Sequence, residues 1–69
     1  MENLKGDWVA KVDVPTQMGF SVFTIPKGAI VAVKQVDKNN RKILVEASPQ
    51  FIDWMHKNFL NLFEQIDQQ

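Results

Sequence analysis

The apolar positions in the last third of the chain follow a helical period. At about 100° per residue, seven large apolar side chains fall on one arc of roughly 120°, and these are Phe51, Ile52, Met55, Phe59, Leu62, Phe63 and Ile66. Ser48 can cap the first amides of such a helix, and Pro49 suits its first position because that position needs no N–H. The pattern predicts an amphipathic helix over residues 49–66, which needs a surface to pack on.

The first half of the chain has the period of β-strands. Apolar residues alternate with others from Trp8 to Val14, as in a strand with one buried face, and Pro15 ends that strand. We predict a loop over residues 16–19, in which Gly19 takes a positive φ. Residues 20–25 return as a second, irregular extended segment.

A turn and a hairpin follow. Residues 26–29 fit a type II turn, with Gly28 at the position that requires positive φ. Residues 30–36 are β-branched and almost continuously apolar, which is typical of a central strand covered on both faces. A turn over residues 37–40, in which either Asn tolerates the left-handed region, leads into a strand over residues 42–47.

These elements predict a mainly β fold with a C-terminal helix. Apolar residues lie on both faces of several strands, and a flat sheet with one helix would leave one face bare. We therefore expect the strands of residues 7–47 to curl into a small antiparallel barrel of about four to five strands, capped by the helix of residues 49–66.

Composition indicates one domain of 69 residues, since 45% of them are hydrophobic and 23% are charged. The absence of cysteine excludes disulfides, thiolate zinc sites and cysteine nucleophiles, and is typical of a reducing compartment. The N-terminus lacks the pattern of a signal peptide, and no apolar run is long enough to span a membrane. We expect a cytoplasmic protein with no membrane association.

Four segments of the chain have the residue types, and follow in the order, of the corresponding segments in one known protein family. Residues 10–14 hold a small residue and an apolar-acid-apolar triplet, residues 25–33 a glycine turn and the strand leaving it, and residues 34–48 a hairpin. Residues 54–60 form a closing stretch with Asn followed by an aromatic. This order resembles the small SH3-like β-barrel domains of bacterial or phage type. The resemblance would make residues 49–54 part of a short closing hairpin, where the apolar period predicts helix, and both alternatives stay open.

The residues at the matching groove positions differ from those of that family. Its groove for proline-rich peptides is built from stacked aromatic side chains, whereas Val12 and Val14 stand at two of those positions. Phe59 is the aromatic that remains. The resemblance therefore implies a fold rather than the family's peptide groove.

Catalytic and metal-binding sets are not apparent in the sequence. His56 is the single histidine, with no cysteine at ligand spacing, and it is expected to be an ordinary boundary residue. Asp53 and Lys57 are spaced for an ion pair on the predicted helix. We find no glycine-rich phosphate loop and no Ser/His/Asp set. The chain is therefore predicted to be non-enzymatic, with no metal and no cofactor.

Three apolar residues are candidates for contact with another protein. Met18 and Phe20 fall in the long loop, and Trp54 lies outside the apolar arc of the predicted helix. Packing inside the domain would also explain each of them. We predict a non-catalytic protein–protein interaction module, belonging to a small accessory protein.

Two alternatives rest on other residues. Four basic side chains gather on one predicted hairpin and could follow a phosphate backbone, namely Lys34, Lys38, Arg41 and Lys42. A solvated turn would also explain them. The 3,4,3,4 spacing from Ile52 to Ile66 would suit helix pairing in a structural homodimer, so monomer and homodimer are both open.

Overall fold

The computed structural model describes residues 3–66, which form seven antiparallel strands in two sheets. A 3₁₀ helix, Lys57–Leu62, joins the sixth strand to the seventh. The strands are β1 Gly6–Ala10, β2 Val14–Met18, β3 Ser21–Ile25, β4 Ile30–Asp37, β5 Lys42–Ser48, β6 Phe51–His56 and β7 Phe63–Gln65.

The larger sheet has five strands in the order β6-β5-β4-β1-β7. Its central strands are β5, β4 and β1, and the last strand pairs with the first, with Ala10 opposite Phe63. Because both neighbours of β4 carry buried side chains on the same face, Val31 and Val33 lie among residues from β1 and β5. This face forms the floor of the core.

The smaller sheet is the hairpin β2–β3. Its two-residue turn, Gly19 and Phe20, has Gly19 at φ 60°, as a turn with glycine in its first central position requires. Pro15 lies opposite Thr24. Counting the alternation of the ladder from the turn, Pro15 falls at a position that donates no hydrogen bond across the strands, so its missing N–H costs nothing there.

The hairpin lies over the inner face of the five-stranded sheet and completes the core. Phe23 of the hairpin stacks on Phe51 of β6 at 4.7 Å between ring centroids. The hydroxyl of the buried Thr16 donates to the carbonyl of Val14 at 2.9 Å. The buried apolar residues are Trp8, Ala10, Val14, Met18, Ile25, Val31, Val33, Ile43, Val45, Leu60 and Phe63.

Several predictions of local structure are confirmed. The amide of Ala29 donates to the carbonyl of Pro26 at 3.0 Å, and Gly28 has φ 90°, as a type II turn requires. The predicted strands over residues 30–36 and 42–47 are β4 and β5. The prediction that the first of them is covered on both faces is wrong, because β4 buries Val31 and Val33 on one face while Ile30 is 55% exposed. In the turn between β4 and β5, the left-handed residue is Arg41 at φ 55° and not an asparagine.

The prediction of a C-terminal helix over residues 49–66 is wrong. This segment forms β6, the short 3₁₀ helix and β7. The apolar residues Phe51, Met55, Phe59 and Phe63 recur every fourth position. Since four is also an even number, the same spacing puts residues on one face of a strand, so it suits a period of 2 as well as one of 3.6. The outcome at residues 49–54 is a tight turn and the beginning of β6.

The predicted barrel is also corrected. Residues 3–66 form seven strands rather than four or five, and they make two separate sheets with no closed barrel. The first predicted strand ends at Ala10 instead of Val14, and the segment predicted as a loop after Pro15 is β2. The resemblance to SH3-like domains stays a prediction.

Within residues 3–66, no helix has the length and apolar character that a bilayer crossing demands. The 3₁₀ helix is six residues long.

Candidate functional site

Large apolar side chains lie on the outer face of the edge strand β6. Phe51 and Met55 turn towards the core, so the alternation of the strand turns Ile52 and Trp54 outwards. Ile52 is 48% exposed and Trp54 is 41% exposed. Leu44 on β5 stands directly opposite Trp54, which makes the outer face of this edge apolar.

A second exposed apolar group lies at the tip of the hairpin β2–β3. Phe20 is fully exposed, and Val22 is 78% exposed. Phe20 occupies the turn itself, and Val22 stands opposite Gln17 on the face of the hairpin that points away from the core. The core therefore uses neither side chain.

The carboxylate of Asp53 joins these two groups. The amide of Gly19 donates to Asp53 Oδ2 at 2.9 Å across 34 positions of sequence, and the amide of Trp54 donates to Oδ1 at 2.8 Å. The hairpin tip is thereby held beside β6. We call the two groups together the apolar rim, and it consists of Phe20, Val22, Ile52 and Trp54.

Two of the three predicted protein-contact residues belong to this rim. Phe20 and Trp54 are brought to the same edge of the molecule, whereas Met18 is only 5% exposed and packs in the core. The predicted ion pair between Asp53 and Lys57 depended on a helix that does not form. The structural role of Asp53 could not be found by period alone, because a carboxylate between Ile52 and Trp54 looks like an ordinary polar position.

Basic side chains line a cleft of about 560 Å³ at another end of the molecule. We call it the basic cleft, and its cations are Lys5, Lys38, Arg41, Lys42 and Lys57. Its apolar floor contains Leu4, Val36 and Ile43, and Asp37 is the acidic residue in the lining.

Three segments build the basic cleft. The pairing of β1 with β4 places Gly6 opposite Val33, so the chain before β1 runs beside the end of β4. The turn of residues 38–41 forms another wall, and the start of the 3₁₀ helix forms the third. The amide of Lys57 donates to the carbonyl of Arg41 at 3.0 Å, which holds these two walls together.

Three of the four predicted basic residues lie in this cleft. Lys34 does not, because the ladder between β4 and β5 shifts register between Val33 and Gln35, and the Lys34 Nζ lies 3.5 Å from Glu46 Oε1. Lys5 and Lys57 join the cleft without having been predicted. Only the strand order could have placed them there, since they lie far from the hairpin in sequence.

Asp37 orders the turn that carries part of the cleft. Its carboxylate accepts hydrogen bonds from the amides of Asn39 and Asn40 at 3.1 and 3.2 Å, and from Asn40 Nδ2 at 2.8 Å. The side-chain bond from Asn40 is the largest cause that lowers the pKa of Asp37, and the nearby charge of Lys42 lowers it further. The turn is thus fixed by an ionised carboxylate.

His56 has a structural role at the start of the 3₁₀ helix. Its Nδ1 accepts a hydrogen bond from the amide of Asn58 at 3.1 Å, so it caps the helix. Across residues 3–66, no three His, Cys, Asp or Glu side chains group closely enough to hold a metal ion. The absence of enzymatic activity and of a cofactor stays a prediction.

The apolar rim and the basic cleft share no residue, and either could recognise a ligand of its own kind. Comparisons with models of protein families, with curated proteins and with solved structures found no match for this chain.

Proposed function

We propose that this chain is a non-catalytic interaction module that binds another protein through the apolar rim. The observation that carries the proposal is the position of Phe20, a fully exposed aromatic ring on a turn that the Asp53 carboxylate holds beside β6. Aromatic side chains, Phe included, are enriched in the cores of protein interfaces. Removing apolar surface from water is worth about 25 cal/mol per Å².

The link through Asp53, which holds the hairpin tip beside β6, supports this proposal more than exposure alone does. Single exposed apolar residues are common on monomeric proteins, whereas two exposed pairs held at one edge are candidates for a contact site. Leu62 is 43% exposed, but it ends the 3₁₀ helix at the opposite side of the sheet, where its carbonyl accepts from the amide of Lys11. It provides a matched apolar control outside the rim.

The rim is also held in place before any partner binds. Its members stand on paired strands and on a two-residue turn, and the bonds to Asp53 restrict the turn further. A surface ordered in advance loses less conformational entropy on association. This favours binding by a rigid surface over folding on contact.

Site-specific photocrosslinking tests the proposal. Benzoylphenylalanine replaces Phe20 in one variant and Leu62 in another, and both are irradiated in the cells that naturally contain the protein. We expect a discrete crosslinked partner from position 20 that position 62 does not give. Equal labelling from both positions, or none from position 20, would contradict the proposal.

Affinity measurements with the purified partner complete the test. Phe20→Ser and Trp54→Ser should each weaken binding by about tenfold or more, and Leu62→Ser by less than about twofold. Circular dichroism melts of the three variants separate lost contact from lost folding. If Leu62→Ser weakened binding as much as Phe20→Ser, the rim would not be the contact surface.

Location, oligomeric state and phosphate binding are further proposals. A location in the cytoplasm is supported by the absence of cysteine.

Helix pairing cannot form a homodimer here because residues 49–66 are not one helix, so sedimentation equilibrium decides between monomer and homodimer. Binding of a phosphate backbone is supported by the three predicted basic residues in the basic cleft.

A further inference from the structure

The basic cleft gathers positive charge that the rest of its lining does not compensate. Five cations line it against one carboxylate, although the formal net charge of the whole chain is zero. We propose that the cleft binds a compact ligand that carries two or more phosphate groups. This site is separate from the apolar rim and does not depend on the proposed protein interaction.

No carboxylate of the described residues lies within ion-pair distance of the cations in the cleft, although the charge of Lys42 acts on Asp37 from further away. Within residues 3–66, the five cations form no ion pair, and the pair between Lys34 and Glu46 lies outside the cleft. Asp37 is the single acid of the lining, and its oxygens already accept bonds from Asn39 and Asn40. A concave surface of one sign raises the local concentration of ligands of the opposite sign.

The shape of the cleft favours a compact ligand over an extended strand. Its volume of about 560 Å³ lies in the range of small-molecule sites. Its cations come from three separate segments and surround an apolar floor, instead of following one line along the surface. The lining contains no aromatic side chain on which nucleic-acid bases could stack.

Arg41 is the cation of the cleft whose own backbone has an unusual conformation. Its φ of 55° is unfavourable for an arginine, and Asn39 and Asn40 beside it would adopt that conformation more easily. Its carbonyl accepts from the amide of Lys57, which fixes the turn against the 3₁₀ helix, so the backbones that carry these two cations lie side by side. A guanidinium can donate two parallel hydrogen bonds to one phosphate, which a lysine cannot.

Isothermal titration of the full chain with inorganic tripolyphosphate tests the proposal. We expect a dissociation constant below about 1 mM at about 50 mM salt, and clear weakening at about 200 mM salt because the interaction is between charges. Orthophosphate should bind about tenfold more weakly, since it reaches fewer of the cations. No measurable binding of tripolyphosphate at the lower salt concentration would overturn the proposal.

Three variants with the same loss of charge locate the site. Arg41→Asn and Lys57→Gln should each weaken tripolyphosphate binding by about five- to tenfold. Lys34→Gln should change it by less than about twofold, since Lys34 lies outside the cleft. Arg41→Asn suits the left-handed backbone, so its effect cannot come from misfolding. If Lys34→Gln weakened binding as much as the other two, the effect would be one of net charge and the cleft assignment would fail.

A single-stranded oligonucleotide of about 12 nucleotides provides the competing ligand. If it bound more tightly than tripolyphosphate, with a salt dependence showing that several phosphates are neutralised at once, the cleft would serve a nucleic-acid backbone and the proposal of a compact ligand would be overturned. If tripolyphosphate displaced it and bound more tightly, the proposal would be supported.

Discussion

Asp37 shows what one side chain does for the turn of the β4–β5 hairpin. The hydrogen bonds from Asn39 and Asn40 lower its pKa from the usual 3.8. Because the folded-state pKa lies below that of the unfolded chain, the ionised carboxylate stabilises the turn at pH values above about 3.8. That stabilisation is lost as the pH falls through the lower, folded-state pKa.

The Asn40→Ala variant tests the role of that side chain. It removes the largest cause of the shift, so the pKa of Asp37 should rise towards 3.8, measured by NMR titration of its carboxyl carbon. Asn61→Ala, an exposed asparagine in the 3₁₀ helix, serves as the control and should leave that titration unchanged. If the pKa of Asp37 did not respond to Asn40→Ala, the hydrogen bond from Asn40 could not be the cause of the shift.

The tip of the hairpin β2–β3 is hydrogen-bonded to one side chain of another strand. Asp53→Ala removes the acceptor for the amides of Gly19 and Trp54. Hydrogen bonds to a charged group contribute about 1.5–3 kcal/mol when protected, and this carboxylate is partly exposed, so we expect a loss of about 1 kcal/mol in urea unfolding. Hydrogen exchange at the Gly19 amide should become faster.

Glu64→Ala on the exposed face of β7 is the matched control for Asp53→Ala. It removes the same charge from a strand position without a hydrogen bond to the hairpin, and it should leave the exchange of the Gly19 amide unchanged. An equal effect of both substitutions on that amide would mean that charge, and not the specific bond, fixes the hairpin.

For the secondary-structure elements, the local sequence was enough to predict turns and strands where glycine and β-branched residues give clear signals. The turn at Gly28 and the strands on either side of Arg41 were predictable because backbone preference and hydrophobic period agree there. The prediction for the C-terminal segment failed because Phe51, Met55 and Phe59 suit both periods. The aromatic and β-branched residues around Trp54 were the available signal for a strand.

β2 was missed for a different reason. Val14, Thr16 and Met18 alternate in the manner of a strand, but Pro15 between them predicts its end. A proline is tolerated on a strand when its nitrogen faces a free edge, and that depends on a partner strand that the local sequence does not reveal.

Both candidate surfaces are properties of the whole molecule. The hairpin tip lies beside β6, and Lys5 and Lys57 line one cleft, only because the strand order brings distant segments together. From residue types alone, the sequence predicted two members of the apolar rim and three cations of the basic cleft. The exclusion of Lys34 required the register shift in β4, and the exclusion of Met18 required knowledge of which face of the hairpin is covered.

The two ends of the described chain are tied together, which makes a deletion informative. β7 pairs with β1, the Gln65 Nε2 donates to the carbonyl of Asn3 at 2.8 Å, and Phe63 is only 3% exposed. Removing a buried Phe side chain alone costs about 3–5 kcal/mol, and the total stability of a domain this small is of about that size. Deletion of residues 61–69 should therefore unfold the protein, as followed by circular dichroism.

Glu64→Ala again supplies the control, because it keeps β7 and its pairing and should stay folded. A cooperative thermal transition in the deletion variant would show that the core is complete without β7. The predicted role of the last strand would then be wrong.

The outer edge of β6 is protected against the addition of a further strand. The Trp54 amide donates to the carboxylate of its own neighbour, so it is not available to a strand from another molecule. The same carboxylate holds the hairpin tip against that edge. A chain in which strands predominate thus carries, at one residue, a safeguard against edge-to-edge aggregation.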